Sequence, residues 1–392
     1  MLNFSFYLPT RFEFGRGAEA KAGEMIKALG GRKALVHYGG GSVVRNGLLG
    51  RVLASLDAAG VAHVELGGVQ PNPRDDLVYE GIALVKAEKV DFILAVGGGS
   101  AIDSAKAIAL GAVYDGDFWD FWCGAAQPVS VMPLGVILTI AAAGSESSNS
   151  AVITRAQTKQ KWGLGCELNR PVFALMNPEL TQTLPAYQTA CGATDIMAHV
   201  MERYFSRETG DVTDRLCESI LQSVVAAAPI AIREPDNYDA RAELMWASTI
   251  AHNNTCGVGR TFDGASHKIE HELSAEYDVA HGAGLAVVFP AWMRWHLANG
   301  GVEKLAQYAV RVWGASMDFA HPERTALVGI ERHEAFLRLI GMPVHLTELG
   351  IENPDIDSLA ARTRKNPGTD VCGAFTLLTT GDIAAILAIA NG

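Results

Sequence analysis

The sequence lacks both a basic stripe and an apolar run long enough to cross a lipid bilayer. It has 43 acidic residues against 32 lysines and arginines, a formal net charge of −11, so nucleic acid is not an expected partner. Its longest apolar stretches, PLGVILTIAAAG and SVVAAAPIAI, are shorter than the roughly 20 residues of a membrane helix. The N-terminus shows no secretory pattern. We therefore expect a cytoplasmic protein with no membrane partner.

Cysteine is sparse and dispersed. The six cysteines lie far apart and form no C-x-x-C pair, which argues against a disulfide framework or a zinc site made of cysteines alone. Free thiols in a reducing compartment are the expectation.

The chain is long enough for two domains, because single cores rarely serve 392 residues. In the first half, strand patterns such as RKALVHY, VAHVELGGV and VDFILAVGGG alternate with amphipathic helical patterns. This alternation predicts an α/β nucleotide-binding domain over residues 1–185, with a Rossmann-like parallel sheet. From LPAYQTACGATDIMAHVMERYFS onward, helical periodicity dominates, which predicts an all-α domain over 186–392.

Two glycine triplets, HYGGGSVVR and AVGGGSAIDSAK, each follow a strand pattern and open a helix. Glycine lets backbone N–H groups approach a phosphate, and a helix N-terminus adds partial positive charge. One triplet alone could be a tight turn without a ligand. Two on neighbouring strands could hold opposite ends of one dinucleotide, with Asn72 of QPNP at a third strand end.

The first triplet also bears on the choice of cofactor. An NAD site usually places an acidic residue against the ribose 2′-hydroxyl, yet no Asp or Glu occurs between Gly39 and Leu56. Ser42 and Arg45 stand there instead and suit a 2′-phosphate, which favours NADP(H) over NAD(H). The alternative is that Arg45 is an ordinary exposed helix residue.

Five side chains that can bind a metal fall in two helical segments. Asp195 and His199 are one helical turn apart, and His267, His271 and His281 follow in SHKIEHELSAEYDVAHGAGLA. Either pair at four-residue spacing could be an ordinary surface pair. Together they offer oxygen and imidazole ligands that suit Fe²⁺, Zn²⁺, Mn²⁺ or Ni²⁺, with one histidine left over to handle protons.

The motifs GGGSAIDSAK, GSESS, Asp195-x-x-x-His199 and SHKIEHELSAEYDVAHGAGLAVVFP resemble those of the iron-containing (group III) alcohol dehydrogenases. The similarity is to the branch of NADP-dependent butanol dehydrogenases and aldehyde reductases. It implies hydride transfer between NADP(H) and a primary alcohol or aldehyde such as butanol or butanal. It also implies one divalent metal, Fe²⁺ or Zn²⁺, that polarises the substrate oxygen, and a homodimer or higher oligomer.

The resemblance also implies roles for individual residues. It leaves His271 near the nicotinamide, either as a proton relay or as a residue that only fixes geometry. In IAAAGSE, Ala141 and Ala143 stand where the family often has proline and threonine. The implied metal ligands are Asp195, His199, His267 and His281. The candidate cofactor residues are Gly40, Gly41, Ser42, Arg45, Asn72, Gly98, Gly99, Ser100, Asp103 and Thr139.

Three other functions stay open at this point. A glycerol-dehydrogenase-like polyol oxidoreductase would share the architecture. A dehydroquinate-synthase-like lyase would need a cluster of cations, whereas only Lys268 stands among the histidines. A nucleotide-binding scaffold with a structural metal is the non-enzymatic alternative. The aromatic stretch DFWDFWCG (117–124) either lines a substrate site or packs into a core.

Overall fold

The chain, described over all 392 residues in a computed structural model, divides into two compact units. One is Tyr7–Thr183, and the other is Leu184–Gly392 together with Met1–Phe6. This grouping departs from the expected ranges, 1–185 and 186–392, because the first six residues belong with the helices. There the Leu2 N–H donates to the Gly259 carbonyl at 2.8 Å.

The α/β unit contains one six-stranded sheet in the order β1-β8-β5-β4-β2-β3, with every pair parallel. The predicted α/β fold class is confirmed. Every residue of the FILAVG strand is buried, which is typical of a parallel strand with both faces covered. The strands are β1 (Arg11–Phe14), β2 (Lys33–Gly39), β3 (Ala62–Val69), β4 (Phe92–Gly97), β5 (Leu134–Leu138), β6 (Ser150–Arg155), β7 (Gln160–Gly165) and β8 (Phe173–Met176). The helices of this unit are α1 (Ala22–Ala28), α2 (Ser42–Arg45), α3 (Leu48–Ala59), α4 (Asp75–Glu88), α5 (Gly99–Gly111) and α6 (Trp119–Cys123).

The strand order reverses between β2 and β4. From β2 the chain passes to β3 on one side, then crosses to β4 on the other side and continues to β5. In open α/β sheets, ligands bind beyond the carboxyl ends of the strands at such a reversal. The two strands end at Gly39 and Gly97, so both glycine triplets lie at this position.

A two-stranded antiparallel hairpin, β6–β7, was not predicted from the sequence. It packs against the aromatic stretch, where Trp119 stacks on Trp162 with ring centroids 6.0 Å apart. Phe118, Trp119 and Trp122 are each at most 3% exposed. Of the two interpretations of DFWDFWCG, the structure therefore supports packing into the core of its unit.

The second unit is helical, as predicted. Helix α8 has the length and hydropathy of a membrane span. It nevertheless packs against α7 and α9 and places the buried Glu218 within hydrogen-bonding distance of Tyr204, as a core helix does. The helices are α7 (Ala186–Tyr204), α8 (Asp211–Arg233), α9 (Tyr238–His252), α10 (Ala265–Tyr277), α11 (His281–Ala298), α12 (Val302–Arg311), α13 (Pro322–Leu339), α14 (Ile356–Arg362) and α15 (Thr380–Asn391).

Close packing of α11 on α7 depends on a residue without a side chain. A Cβ atom at Gly282 would lie 2.2 Å from the Cys191 carbonyl oxygen, which is too close for a non-bonded carbon and oxygen. Glycine therefore lets the first turn of α11 contact the backbone of α7. That contact brings His281, the first residue of α11, towards the polar face of α7.

Candidate active site

Helix α7 carries the first two predicted ligands on one face, because residues four apart lie one turn apart. The Nε2 atom of His199 is 3.3 Å from Oδ1 of Asp195, and both side chains are buried. A buried carboxylate is costly unless polar or cationic groups compensate its charge.

Helices α10 and α11 bring two further histidines to the same oxygen atom. Nε2 of His267 lies 3.6 Å from Oδ1 of Asp195, and Nε2 of His281 lies 3.7 Å from it. Three imidazole nitrogens from three helices therefore converge on one carboxylate oxygen.

This donor set fits a divalent metal ion. Ligand atoms bonded at about 2.1 Å to one tetrahedral ion lie about 3.4 Å apart, close to the 3.3–3.7 Å separations seen here. Oδ1 of Asp195 and Nε2 of His267 are buried without a hydrogen-bond partner. Ligand atoms of Asp195, His267 and His281 all lie within 4.8 Å of one another, whereas His199 lies outside that mutual group.

Two of the imidazoles also have a carboxylate at Nδ1, the ring nitrogen that does not face Asp195. Nδ1 of His267 is 2.8 Å from Oε2 of the buried Glu202, and Nδ1 of His281 contacts Oε2 of Glu270. A carboxylate at Nδ1 favours the tautomer that leaves the Nε2 lone pair available to a metal. Burial lowers the pKa of His267, but Glu202 and Asp195 outweigh burial and raise it to about 10. These negative charges also favour a cation.

The imidazole of His199 is held differently. Its ring stacks on His252 with centroids 3.9 Å apart, and on His267 at 4.4 Å. Its Nδ1 atom is buried without a hydrogen-bond partner. Burial, followed by the neighbouring His252 and His267, holds the pKa of His199 well below its usual range.

His271, the candidate proton relay, is half-buried and stands beside the convergent group rather than within it. Its ring centroid is 5.7 Å from that of His281 and 6.4 Å from that of His267. Ligand atoms of Glu270, His271 and His281 form a second group within 4.8 Å of one another. The structure thus separates His271 from His267, although the two lie one turn apart on α10.

The candidate cofactor residues of the glycine triplets lie at the ends of β2 and β4. Gly40 and Gly41 lead from β2 into α2, which contains Ser42 and Arg45. Nη1 of Arg45 lies 3.2 Å from the position that a Cβ of Gly41 would occupy. The guanidinium group therefore folds back on the glycine turn.

The second triplet forms the N-terminal turn of α5. Gly98 precedes the helix, and Gly99 and Ser100 are its first two residues. The first N–H groups of such a helix have no partner within it and can bind an anion. Two further candidates lie at neighbouring strand ends: the N–H of Thr139 donates to the Gly97 carbonyl at 3.0 Å, and Asn72 follows β3 with a φ of 54°.

The Asp103 carboxylate is engaged within the protein. Its Oδ1 accepts from the Ser145 hydroxyl at 2.5 Å, and its Oδ2 accepts from the Val152 N–H at 2.8 Å. Its observed contacts therefore tie α5 to the GSESS segment and to β6. A direct contact of Asp103 with a cofactor stays a prediction.

Lys106, which was not predicted as a functional residue, contacts the same segment. Its fully buried ammonium group donates to the Ser145 hydroxyl at 3.0 Å and to the carbonyls of Ser148 and Ser150 at 3.0 and 2.7 Å. Burial lowers the pKa of Lys106 to about 8. The lysine at the end of the motif GGGSAIDSAK was the available signal in the sequence, and its hydrogen bonds connect α5 to the GSESS segment and to Ser150.

Glu202 and Glu270 were also not predicted from the sequence as residues of the site. Each stands three residues after a predicted ligand, His199 and His267 respectively, which was the only signal in the sequence. Both look like ordinary helix residues in one dimension, because acidic side chains are common on exposed helix faces.

Comparison with known proteins gives a family for both halves of the chain. The protein-family model described as "Iron-containing alcohol dehydrogenase" matches residues 9–178. The family model for the C-terminal part of Fe-containing alcohol dehydrogenases matches residues 189–390. The chain belongs to the iron-containing alcohol dehydrogenase family. The resemblance inferred from the motifs is confirmed.

Individual relatives of this dehydrogenase cover nearly all of it. It is 41% identical to the probable NADH-dependent butanol dehydrogenase 1 of Bacillus subtilis, over 99% of each chain. It is 37% identical to the NADPH-dependent aldehyde reductase YqhD of Escherichia coli, over 95% of each chain. The crystal structure of NADH-dependent butanol dehydrogenase A from Thermotoga maritima superposes with a TM-score of 0.96 at 40% identity, covering 100% of this chain and 99% of that one.

The reaction class follows from this membership. The enzyme is an NAD(P)-dependent alcohol dehydrogenase that interconverts alcohols and aldehydes, with a divalent metal ion. The predicted oxidoreductase function is confirmed. The lyase and the nucleotide-binding scaffold are therefore not supported as alternatives.

Proposed function

We propose that this enzyme transfers hydride between NADP(H) and a primary alcohol or aldehyde of the butanol and butanal type. The observation that carries the proposal is the convergence of three Nε2 atoms on Oδ1 of Asp195. Relatives named as butanol dehydrogenases and as an aldehyde reductase support this substrate class.

The proposed ligands of one divalent ion, Fe²⁺ or Zn²⁺, are Asp195, His199, His267 and His281. Asp195 contributes the negative charge, and the three imidazoles contribute nitrogen lone pairs. When bound, the ion supplies Lewis acidity that polarises the substrate oxygen. Glu270 forms a hydrogen bond to Nδ1 of His281 and Glu202 lies 2.8 Å from Nδ1 of His267, so the donor atoms need little rearrangement to bind.

The glycine turns of β2 and β4 are proposed to hold the dinucleotide. Backbone N–H groups of Gly98, Gly99 and Ser100 suit the pyrophosphate at the N-terminus of α5. Arg45, folded against Gly41, suits a ribose 2′-phosphate, because a guanidinium pairs with phosphate through two N–H donors. This placement supports NADP(H), while the relatives include both NADH- and NADPH-dependent enzymes.

His271 is proposed to carry the proton that balances hydride transfer. Its imidazole is partly open to solvent and lies beside His281 at a centroid distance of 5.7 Å. An imidazole has one nitrogen that can donate a proton and one that can accept a proton, which suits it to proton transfer. During aldehyde reduction, one of its nitrogens would donate the proton that the alcohol product requires.

Activity of the reconstituted protein tests the proposed function. Chelator-treated protein is loaded separately with Fe²⁺, Zn²⁺ and Mn²⁺, and NADPH or NADH oxidation is followed with aldehydes of increasing chain length. We expect turnover with at least one ion and a higher kcat/KM for NADPH than for NADH. Turnover that persists unchanged in the chelated protein would contradict the metal centre, and a preference for NADH would contradict the cofactor assignment.

We also propose a homodimer or higher homo-oligomer in the cytoplasm. The family resemblance supports the assembly, and six cysteines that are all free support a reducing compartment. Light scattering coupled to gel filtration measures the assembly directly. A mass of one chain at micromolar concentration would contradict it.

A further inference from the structure

Glu270 is completely buried and contacts the back of the predicted ligand His281. Its Oε2 contacts Nδ1 of that imidazole, and its Oε1 accepts a hydrogen bond from the Ser274 hydroxyl. On the opposite side of the same ring, Nε2 faces Oδ1 of Asp195 at 3.7 Å. The His281 ring therefore lies between two carboxylates.

We propose that Glu270 is a positioning residue that acts through His281. Its carboxylate fixes the imidazole in the tautomer and rotation that direct Nε2 towards Asp195, and it thereby sets the affinity of the centre for a divalent ion. The inference rests on the proposed metal centre but concerns a residue that binds neither the metal ion nor the substrate.

A glycine provides the space that this carboxylate occupies. A Cβ atom at Gly284 would lie 2.8 Å from both Cγ and Oε1 of Glu270. Glycine inside a helix costs about 1 kcal/mol relative to alanine, and Gly284 lies within α11. Helix α11 thus supplies His281 and, three residues later, the gap for the carboxylate that orients it.

Glu202 lies beside a second imidazole. It is 1% exposed, and its Oε2 lies 2.8 Å from Nδ1 of His267, whose Nε2 faces Asp195. Each of these two imidazoles thus has a buried carboxylate near Nδ1 and Asp195 near Nε2, but only the carboxylate of Glu270 forms a hydrogen bond to its imidazole.

Glu270 could instead be a metal ligand itself, since its carboxylate and the imidazoles of His271 and His281 form the second group within 4.8 Å. The contact geometry favours the positioning role. Glu270 meets Nδ1 of His281, while Nε2 of the same ring points to the convergent group around Asp195. One ring can then serve both partners without moving.

Metal titration of chelator-treated protein tests the role without relying on turnover. We would compare the wild type with Glu270→Gln, Glu270→Met and Gly284→Ala. The matched control is Glu218→Gln, which alters a buried glutamate of α8 that accepts a hydrogen bond from Tyr204. Dissociation constants for Zn²⁺ and the visible absorption of bound Co²⁺ are measured, with far-UV circular dichroism to verify folding.

We expect one ion per chain in the wild type and in Glu218→Gln, with affinities within about twofold. Glu270→Gln keeps an oxygen acceptor and should lose about tenfold, whereas Glu270→Met should lose up to about 100-fold with a shifted Co²⁺ spectrum. Gly284→Ala should resemble Glu270→Met, because it displaces the carboxylate.

Each contrary outcome has its own meaning. A wild type that binds no ion would refute the proposed metal centre itself. A wild type that binds while the folded Glu270→Gln and Glu270→Met variants bind equally well would refute only the positioning role. A further variant, Asp195→Asn, separates the two groups of ligand atoms. Binding retained in Asp195→Asn but abolished in Glu270→Met would also overturn the positioning role, because the ion would then lie at the second group.

Discussion

Nε2 of His267 lies 3.6 Å from Oδ1 of Asp195, although α10 carries one residue and α7 the other. Neither atom has a hydrogen-bond partner, and both are buried. Two buried polar atoms that face each other without a bond are unfavourable unless a further group joins them.

Replacing His267 with alanine should abolish metal binding. The substitution removes one of the three convergent nitrogens and leaves Glu202 without the imidazole it faces. We expect a loss in Zn²⁺ affinity of at least about 100-fold and loss of aldehyde reduction, with NADPH affinity within about twofold of the wild type. Calorimetric titrations of the ion and of NADPH separate the two effects, and weakened NADPH binding with metal retained would contradict the assignment.

Replacing Arg45 with glutamine should reduce selectivity for the phosphorylated cofactor. A charge-assisted hydrogen bond contributes about 1.5–3 kcal/mol, so kcat/KM for NADPH should fall about 10- to 100-fold while that for NADH changes little. Arg51→Gln serves as the control, because Arg51 is another exposed arginine, on α3, and it pairs with Glu19 at 3.4 Å. An equal loss with both cofactors would argue against a 2′-phosphate contact.

Replacing Lys106 with methionine should loosen the GSESS segment. The ammonium group is buried and donates to the carbonyls of Ser148 and Ser150, which would lose their donor at a cost of about 1–3 kcal/mol each. Urea unfolding should show this loss. Lys86→Met, at an exposed lysine that donates to the Tyr114 carbonyl, should change the free energy of unfolding by less than about 0.5 kcal/mol. Equal stability of the two variants would contradict the structural role of Lys106.

Mild acid should destabilise the fold through three buried histidines. Burial lowers the pKa of His37 to about 4, that of His296 to about 4 and that of His333 to about 3. His37 uses both ring nitrogens as a neutral imidazole, with Nδ1 at the Leu66 carbonyl and Nε2 at the Ser104 hydroxyl.

The sign follows from the lowered pKa values. Because the unfolded chain takes up protons near pH 6.5 and the folded one does not, stability is complete above about 6.5. It is lost as the pH falls towards 4, by on the order of 3 kcal/mol for His37. Urea unfolding of chelated protein at pH 7.5 and 5 measures the loss. His333→Gln should reduce it, whereas His321→Gln, at a half-exposed histidine, should not.

The sequence predicted the α/β fold because its signals are local. An apolar strand, a glycine turn and an amphipathic helix each depend on residues that are neighbours in sequence. The stretch VDFILAVGGGSAIDSAK therefore predicted β4 and α5. The β6–β7 hairpin was missed because SAVITR and QKWGLG are short, and their pairing contributes most of their stability. That Met1–Phe6 groups with the helical unit could not be predicted, because the Leu2 N–H has its partner at Gly259, which is remote in sequence.

By itself the sequence determined which residue types could form the site and that two helical segments carried them. Spacing could not separate His271 from His267, since residues one turn apart share a helix face. Only the tertiary structure decided that His267 and His281 face Asp195, because that depends on how closely α10 and α11 pack on α7. The absence of side chains at Gly282 and Gly284 permits this approach, and it leaves room for the buried carboxylate of Glu270. Such long-range close contacts have no signature in one dimension.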